Sequence, residues 1–297
     1  MHLEELLQYI KDNHLETDAK LAEAIKNAIK GTDEFVYLDA DDGNVKSMPN
    51  TKQLGSNVAA VYYAGKRSVK PGERCVLIGG SGNRLIRSLD VSGWDFEAAA
   101  NMKEFLPNAY TLRTLTLPDN MTLANVTNMT YCFSGCGSLQ SLDTSKWTLA
   151  NVTNMEYCFS GCANLREIDL SSCNITKCVY WNRFFYGLHK LETLRIGLID
   201  FSPASGNRIN FIEFLPNIRE ITGTLRGIRN DFTAVSSRMT RDSCMVFING
   251  LETVTEAKTL TLGVNNKPVS LGGKGSDPIS DDDLKIATDK GWTVQFA

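Results

Sequence analysis

Histidine is scarce in this chain. Only His2, His14 and His189 occur among 297 residues, and the first two lie in a leading segment of helical pattern. An active site built on the side chain that most readily moves protons near neutral pH is therefore not expected. No run of apolar residues approaches the roughly 18 that span a bilayer as a helix, so no membrane insertion is expected. The opening residues, Met1-His2-Leu3-Glu4-Glu5-Leu6-Leu7, lack the basic start and small-residue cleavage site of a secretory signal. Export by that route would need a signal outside this sequence. Positive charge is not in excess either: 31 Lys+Arg stand against 34 Asp+Glu, a formal charge of -3. Without a long Lys/Arg run, nucleic acid is not expected as a partner. With 23 Gly, 8 Pro, 42% hydrophobic and 22% charged residues, disordered, collagen-like and densely disulfide-stapled chains are excluded. The length suits one or two globular domains with ample material for a core.

What the chain does have is a repeat. Leu123-Ala-Asn-Val-Thr-Asn-Met-Thr-Tyr-Cys-Phe-Ser-Gly-Cys136 returns as Leu149-Ala-Asn-Val-Thr-Asn-Met-Glu-Tyr-Cys-Phe-Ser-Gly-Cys162, offset by 26 residues. Each copy runs into an L-x-x-L-x-L-like stretch, Leu139 to Thr144 and Leu165 to Leu170. The same template appears upstream from Ile86 and Leu112, and downstream from Leu191, Ile218 and Ala257, with spacings of 26, 27, 26, 26, 27 and 39. One such unit cannot bury its own apolar face. Copies must stack, each adding a short strand to a parallel sheet over an internal ladder of Leu112, Leu115, Leu139, Leu142, Leu165, Ile168, Leu191 and Leu194. The expected fold is an α+β repeat solenoid of leucine-rich-repeat type.

The motifs Asn125-Val-Thr-Asn-Met129, Phe133-Ser-Gly-Cys136 and Leu139 to Asp143, repeated one unit later, resemble the BspA-like leucine-rich-repeat surface proteins of anaerobic bacteria. The resemblance covers residues 84–264. It implies a non-catalytic surface protein of the adhesin kind that binds ligands on a host or neighbouring cell, and it implies no catalytic residues.

Four regions are expected. Residues 1–31 read as a helical segment, with Leu3, Leu6, Leu7 and Ile10 at helical spacing and Thr17-Asp18 before a second run. Residues 32–83 read as a small β-rich unit, with strand-like runs Glu34 to Leu38, Val45 to Met48, Asn57 to Tyr63 and Arg74 to Ile78. Residues 84–264 form the solenoid, and 265–297 a cap in which Ser280 starts a helix, Gly291 stops it and Trp292 to Phe296 form a strand.

Chemistry-bearing groups mostly fall into repeat register. Cys132 and Cys136, like Cys158 and Cys162, have the spacing of paired metal ligands. Neighbouring copies, however, place Phe105 and Phe184 in one of these columns and Ala109 and Leu188 in the other. Core packing is favoured over vertical disulfides and over zinc, so no metal and no cofactor is expected. The sequons at Asn120, Asn125, Asn128, Asn151 and Asn174 read as a stacked asparagine or threonine ladder rather than glycan sites. Asp39-Ala-Asp-Asp-Gly43 fits a hairpin turn better than a calcium loop. Gly79-Gly-Ser-Gly82 and Gly272-Gly-Lys-Gly275 read as connections rather than phosphate loops. His189 takes a position held by Ala163 one unit before. Asp143 and Asp169 stack in register, but Thr116 and Arg195 fill the adjoining copies, so no acid/base pair is selected and no enzyme is expected.

A candidate binding face remains. Between the inward leucines point Ser88, Asp90, Thr114, Thr116, Ser141, Asp143, Glu167, Asp169, Thr193, Arg195, Glu220 and Thr222. A second candidate is the irregular insert from Gly227 to Gly250, with Arg229, Arg238 and Arg241 inside it and Arg226 just before. The expectation is recognition or adhesion through a protein or glycan partner, on a cell surface or outside the cell. The alternative is a virion-associated fibre or decoration protein of a phage or prophage, attached or homo-oligomerised through the first helix.

Overall fold

The computed structural model shows how units that cannot bury themselves are accommodated: the chain winds as a β-solenoid of about seven turns, with parallel sheets and, among the described residues, two α-helices. It describes residues 33–42, 45–79, 82–204, 211–212, 215–235 and 238–297. The helical segment expected over 1–31 lies outside the described residues.

The chain first folds an antiparallel sheet of β1 (Glu34–Asp39), β2 (Val45–Pro49) and β3 (Val58–Tyr63), in the order β2-β1-β3. The Asp39 carboxylate explains the hairpin between β1 and β2. It accepts from the Asp41 backbone N–H at 2.9 Å, from Lys46 Nζ at 2.8 Å and from Asn57 Nδ2 at 3.0 Å, which ties three segments together. Arg74 to Ile78, expected as a strand, is not one. Only isolated parallel bridges, Arg74 to Asn101 and Leu54 to Ile78, form there, because the segment already belongs to a coil and bonds across coils.

Two ladders then run along the solenoid. In the first, single bridges join Arg74, Asn101, Asn128, Asn154 and Tyr180 in turn, and seven residues earlier on the first two of these coils β4 (Arg67–Ser68) pairs with β6 (Trp94–Asp95). In the second, β5 (Ser88–Asp90) pairs with β7 (Thr114–Thr116), and β8 (Glu167–Ile175), β9 (Thr193–Asp200) and β10 (Glu220–Arg226) form a parallel sheet. The repeat spacing is thus the pairing register: Leu89 lies beside Leu115, and Ile168 beside Leu194 beside Ile221. The expected strand at Leu139 to Thr144 is absent. Thr144 occupies a place where the other copies put Val91, Leu170 or Ile196. Its buried hydroxyl donates to the Asp169 carbonyl, so a side chain makes the cross-coil bond there.

The third wall is a run of overlapping turns. Cys132, Ser134 and Cys136 donate within the coil to Met129, Tyr131 and Phe133, at 3.1, 3.2 and 3.2 Å. The intervening N–H groups of Met129, Tyr131, Phe133 and Gly135 donate to the next coil, to Asn154, Glu156, Cys158 and Ser160. This alternation satisfies every backbone donor from 129 to 136 except that of Thr130, which the Asn128 side chain takes at 2.9 Å. It requires left-handed residues twice per coil. One column is Gly82, Asn108, Gly135, Gly161 and Gly187, and the other is Glu104, Tyr131, Tyr157 and Arg183, all at positive φ. The repeated F-x-G-C motif needs its glycine for this reason.

Inside, apolar side chains stack by column. Leu112, Leu139, Leu165, Leu191 and Leu194 are fully buried, whereas Leu142, on the segment that is not a strand, is only partly so. Phe133, Phe159 and Phe185 stack as a ring column at 5.8 and 5.9 Å, Phe105 and Phe184 pack against it from the cysteine column, and Trp147 lies on Phe133 at 5.7 Å. All eight cysteines are buried free thiols. Cys132 sits over Cys158 and Cys136 over Cys162 within the core, as the column pattern suggested.

The insert at Gly227 to Gly250 is not irregular. It holds β11 (Phe232–Ala234) and the helix α1 (Arg241–Gly250), capped by the Thr240 side chain and packed on β10 through Cys244, Phe247 and Ile248. Beyond it, β12 (Lys258–Leu262) lies between β11 and β13 (Trp292–Phe296) in a parallel sheet, with α2 (Asp281–Asp289) between β12 and β13 in sequence. Ser280 and Asp283 close α2 with the expected serine cap, as a reciprocal capping box. One core cluster runs from Phe35 to Trp292, continuous across residues 83/84 and 264/265.

Candidate recognition face

Pairing in the second ladder brings the outward residues into straight columns. Ser88 lies beside Thr114, and Asp90 beside Thr116; farther along, Glu167, Thr193 and Glu220 form one row and Asp169, Arg195 and Thr222 another. All are exposed or half-buried, as are Ser141 and Asp143 on the loop that replaces a strand. The face therefore exists in two pieces, one on β5 and β7 and one on β8 to β10, with Ser141 and Asp143 at the junction.

Several of its charges are held in place. Asp90, Asp143 and Asp169 each accept a backbone N–H two residues on, from Ser92, Ser145 and Ser171, at 2.9 Å. The Ser145 hydroxyl and backbone N–H hold the Asp143 carboxyl below the usual carboxylate range. An ionised, turn-locked aspartate is an oriented acceptor rather than a proton donor near neutral pH. Arg195 pairs with Glu167 and, at 3.9 Å, with Asp169 across the coils.

At the junction the missing strand leaves a recess of about 200 Å³. Leu115, Leu117, Met121 and Trp147 form its apolar lining, and Thr116, Asp119, Asp143 and Lys146 supply polar groups. Only Thr116 and Asp143 of this set belong to the face read from the sequence. The rest depend on Pro118, which has no N–H to extend β7, and on Thr144, which takes an apolar position. A polar residue breaking an apolar column was the available signal.

Other sequence candidates are occupied by the fold. Asn125 Nδ2 donates to Glu97 O and Asn151 Nδ2 to Ala124 O, both at 2.9 Å, while the Thr127 and Thr153 hydroxyls donate to Ala100 and Thr127 carbonyls one coil away. This is the stacked asparagine and threonine ladder. Arg226 Nε donates to Asp200 at 2.9 Å, and Arg241 holds Asp283 through two bonds of 2.7 Å, so both are structural ties. Among the described residues no group of three or more His, Cys, Asp or Glu is placed to hold a metal ion. Burial pushes the Cys75, Cys178 and Cys244 thiols up to about 12 and Cys173 to about 11, away from thiolate chemistry. No helix among the described residues is long and apolar enough to cross a membrane.

A feature the sequence reading passed over is the second left-handed column. Tyr131 and Tyr157 stack outside the coil, and Arg183 caps Tyr157 at 5.8 Å. Two tyrosines at one repeat position were the signal for it.

The family model described as a Mycoplasma protein of unknown function, DUF285, matches residues 82–196. That span covers the coils with the repeated turn motif, and less than half of the chain. No curated protein and no solved structure matches.

Proposed function

We propose that this chain is a non-catalytic recognition protein of the BspA-like leucine-rich-repeat kind, which uses the outward face of its second ladder to bind a protein or glycan on another surface. The observation that carries this reading is the junction recess, where Thr116 and Asp143 come together over an apolar lining within a broad face of polar columns. Recognition by solenoids uses such extended area, and a recess within it offers a place where one ligand group is desolvated. Asp143, locked by its turn and held below the usual carboxylate range, supports binding over acid/base chemistry. A role at a cell surface is supported by the resemblance of the repeated motifs to surface proteins of that kind.

The test applies the full chain to a printed glycan array and to immobilised extracellular-matrix proteins, beside Thr116→Arg and Asp143→Ala. A ligand whose affinity falls at least about tenfold in Thr116→Arg supports the reading, since a bulky cation would fill the recess. Unchanged binding in both variants removes this face as the site. Absence of binding on both surfaces overturns recognition of these ligand classes.

A further inference from the structure

We propose that the corner formed by Arg84, Arg87 and Arg113, with Leu85 and Tyr110, is a binding site for an anionic sugar chain bearing sulfate or carboxylate groups. It is separate from the junction recess and independent of its ligand.

Three observations carry it. First, the corner is rigid. Asn83 is buried, and its carbonyl oxygen Oδ1 accepts from the Leu85 and Ile86 backbone at 2.8 and 2.7 Å, while its Nδ2 donates to Gly55 and Val58 carbonyls at 2.9 and 3.0 Å. Arg84 and Leu85 therefore project from a turn locked on four sides, so little ordering is required on binding.

Second, the residues that carry the cations are brought side by side across coils. The Arg113 N–H donates to the Arg87 carbonyl at 2.8 Å, and the Tyr110 N–H to the Asn83 carbonyl at 3.1 Å. The Arg84 guanidinium lies over the Tyr110 ring at 4.7 Å.

Third, the charges are uncompensated. The repeat position after the first inward residue is Arg87, Arg113, Gln140, Arg166, Glu192 and Arg219 along the solenoid. Where it reaches Arg166 the next coil supplies Glu192, and the two pair at 2.6 Å. At Arg84, Arg87 and Arg113 there is no ion pair among the described residues, and all three are exposed. Three exposed, unpaired cations on two adjoining coils offer an anion a positive patch within a chain of formal charge -3.

Guanidinium forks match sulfate and carboxylate oxygens, and Leu85 and Tyr110, 40% and 37% exposed, add a small apolar surface beside them. Two partly exposed side chains are too small an area for the desolvated centre of a protein interface. A sugar chain held by point contacts needs no such centre.

The full chain is titrated with a size-defined heparin oligosaccharide and with polygalacturonate, which separate sulfate from carboxylate as the acidic group. Three neutralised anions predict an affinity that falls roughly a hundredfold for each tenfold rise in salt. Arg84→Gln/Arg87→Gln/Arg113→Gln is expected to lose at least about twentyfold, and Arg166→Gln, whose charge is already paired, to change less than about twofold. Thr116→Arg is expected to retain this binding, so failure here is separable from failure of the recess. If the triple variant misfolds, Arg113→Gln alone and the salt slope of the natural chain decide. The proposal is overturned if neither sugar binds at low salt, if the triple variant binds as the natural chain does, or if polyglutamate or a single-stranded oligonucleotide binds more tightly.

Discussion

Tyr131 and Tyr157 lie ring on ring, 4.6 Å apart and within 8° of parallel, and each holds a left-handed backbone at φ 56 that non-glycine residues avoid. The stack and the strain have opposite signs. Relief of a left-handed tyrosine is worth about 1–2 kcal/mol, and a stacked aromatic pair about 0.5–1.5 kcal/mol. Tyr131→Gly is expected to leave stability within about 1 kcal/mol of the natural chain in urea unfolding. A loss above about 3 kcal/mol would show that the ring contributes packing beyond its partner.

Gly135, in the companion column, should behave differently. Its φ is +77, and a Cβ there would meet Asn108 Oδ1 at 2.7 Å and Asn108 Cα at 3.1 Å. Gly135→Ala is expected to cost about 1–3 kcal/mol by the same measurement, because strain and contact act together. A neutral result would show that the turn ladder relaxes more easily than its cross-coil bonds suggest.

The buried thiols set an upper limit to the useful pH. Burial raises Cys75, Cys178 and Cys244 from the usual 9.0 to about 12, so the folded chain keeps protons that the unfolded chain releases. Stability is then fully present below pH 9 and falls as pH rises toward 12, by up to about 1.4 kcal/mol per pH unit for each such thiol. Urea midpoints at pH 8 and pH 10.5 check this, and equal midpoints would remove it. The same burial predicts that a thiol reagent labels these cysteines only after unfolding.

Asp283 joins α1 to α2. Burial pushes its carboxyl up, but the Arg241 guanidinium and the Ser280 hydrogen bonds outweigh this and hold it below the usual 3.8. The stability it contributes is present above pH 3.8 and is lost as pH falls through the lower folded value. Asp283→Asn is expected to cost about 1.5–3 kcal/mol, as for hydrogen bonds to a charged group. Hydrogen exchange should report this loss in the C-terminal sheet first, and an unchanged exchange rate in β12 and β13 would refute the link.

Thr144→Val tests the break in the second ladder. The change keeps the shape but removes the hydroxyl that donates to the Asp169 carbonyl, at a cost of about 1–2 kcal/mol. A stabilised variant would mean that the apolar column, and not this bond, governs the segment.

Much of the solenoid was legible because period and burial are local properties of the chain. Spacings of 26 and 27 placed Leu89 beside Leu115 and Ile168 beside Leu194, and the Phe/Cys columns marked the cysteines as core. The helix α1 was missed although Cys244, Phe247 and Ile248 follow helical spacing after the Thr240 cap, because the lengthened repeat made the segment read as an interruption. The turn run was missed because its strand-like cross-coil bonds alternate with bonds inside the coil, a pattern without a hydropathy signature.

The sequence by itself determined that units of this length must stack and which side chains face inward, since no single unit can bury its own apolar face. Only the tertiary structure decided which outward groups meet. The recess at Thr116 and Asp143, the tyrosine stack and the arginine corner all join residues roughly one coil apart. Their adjacency depends on one polar residue, Thr144, that breaks the ladder, and on cross-coil hydrogen bonds that form only once the coils are in contact.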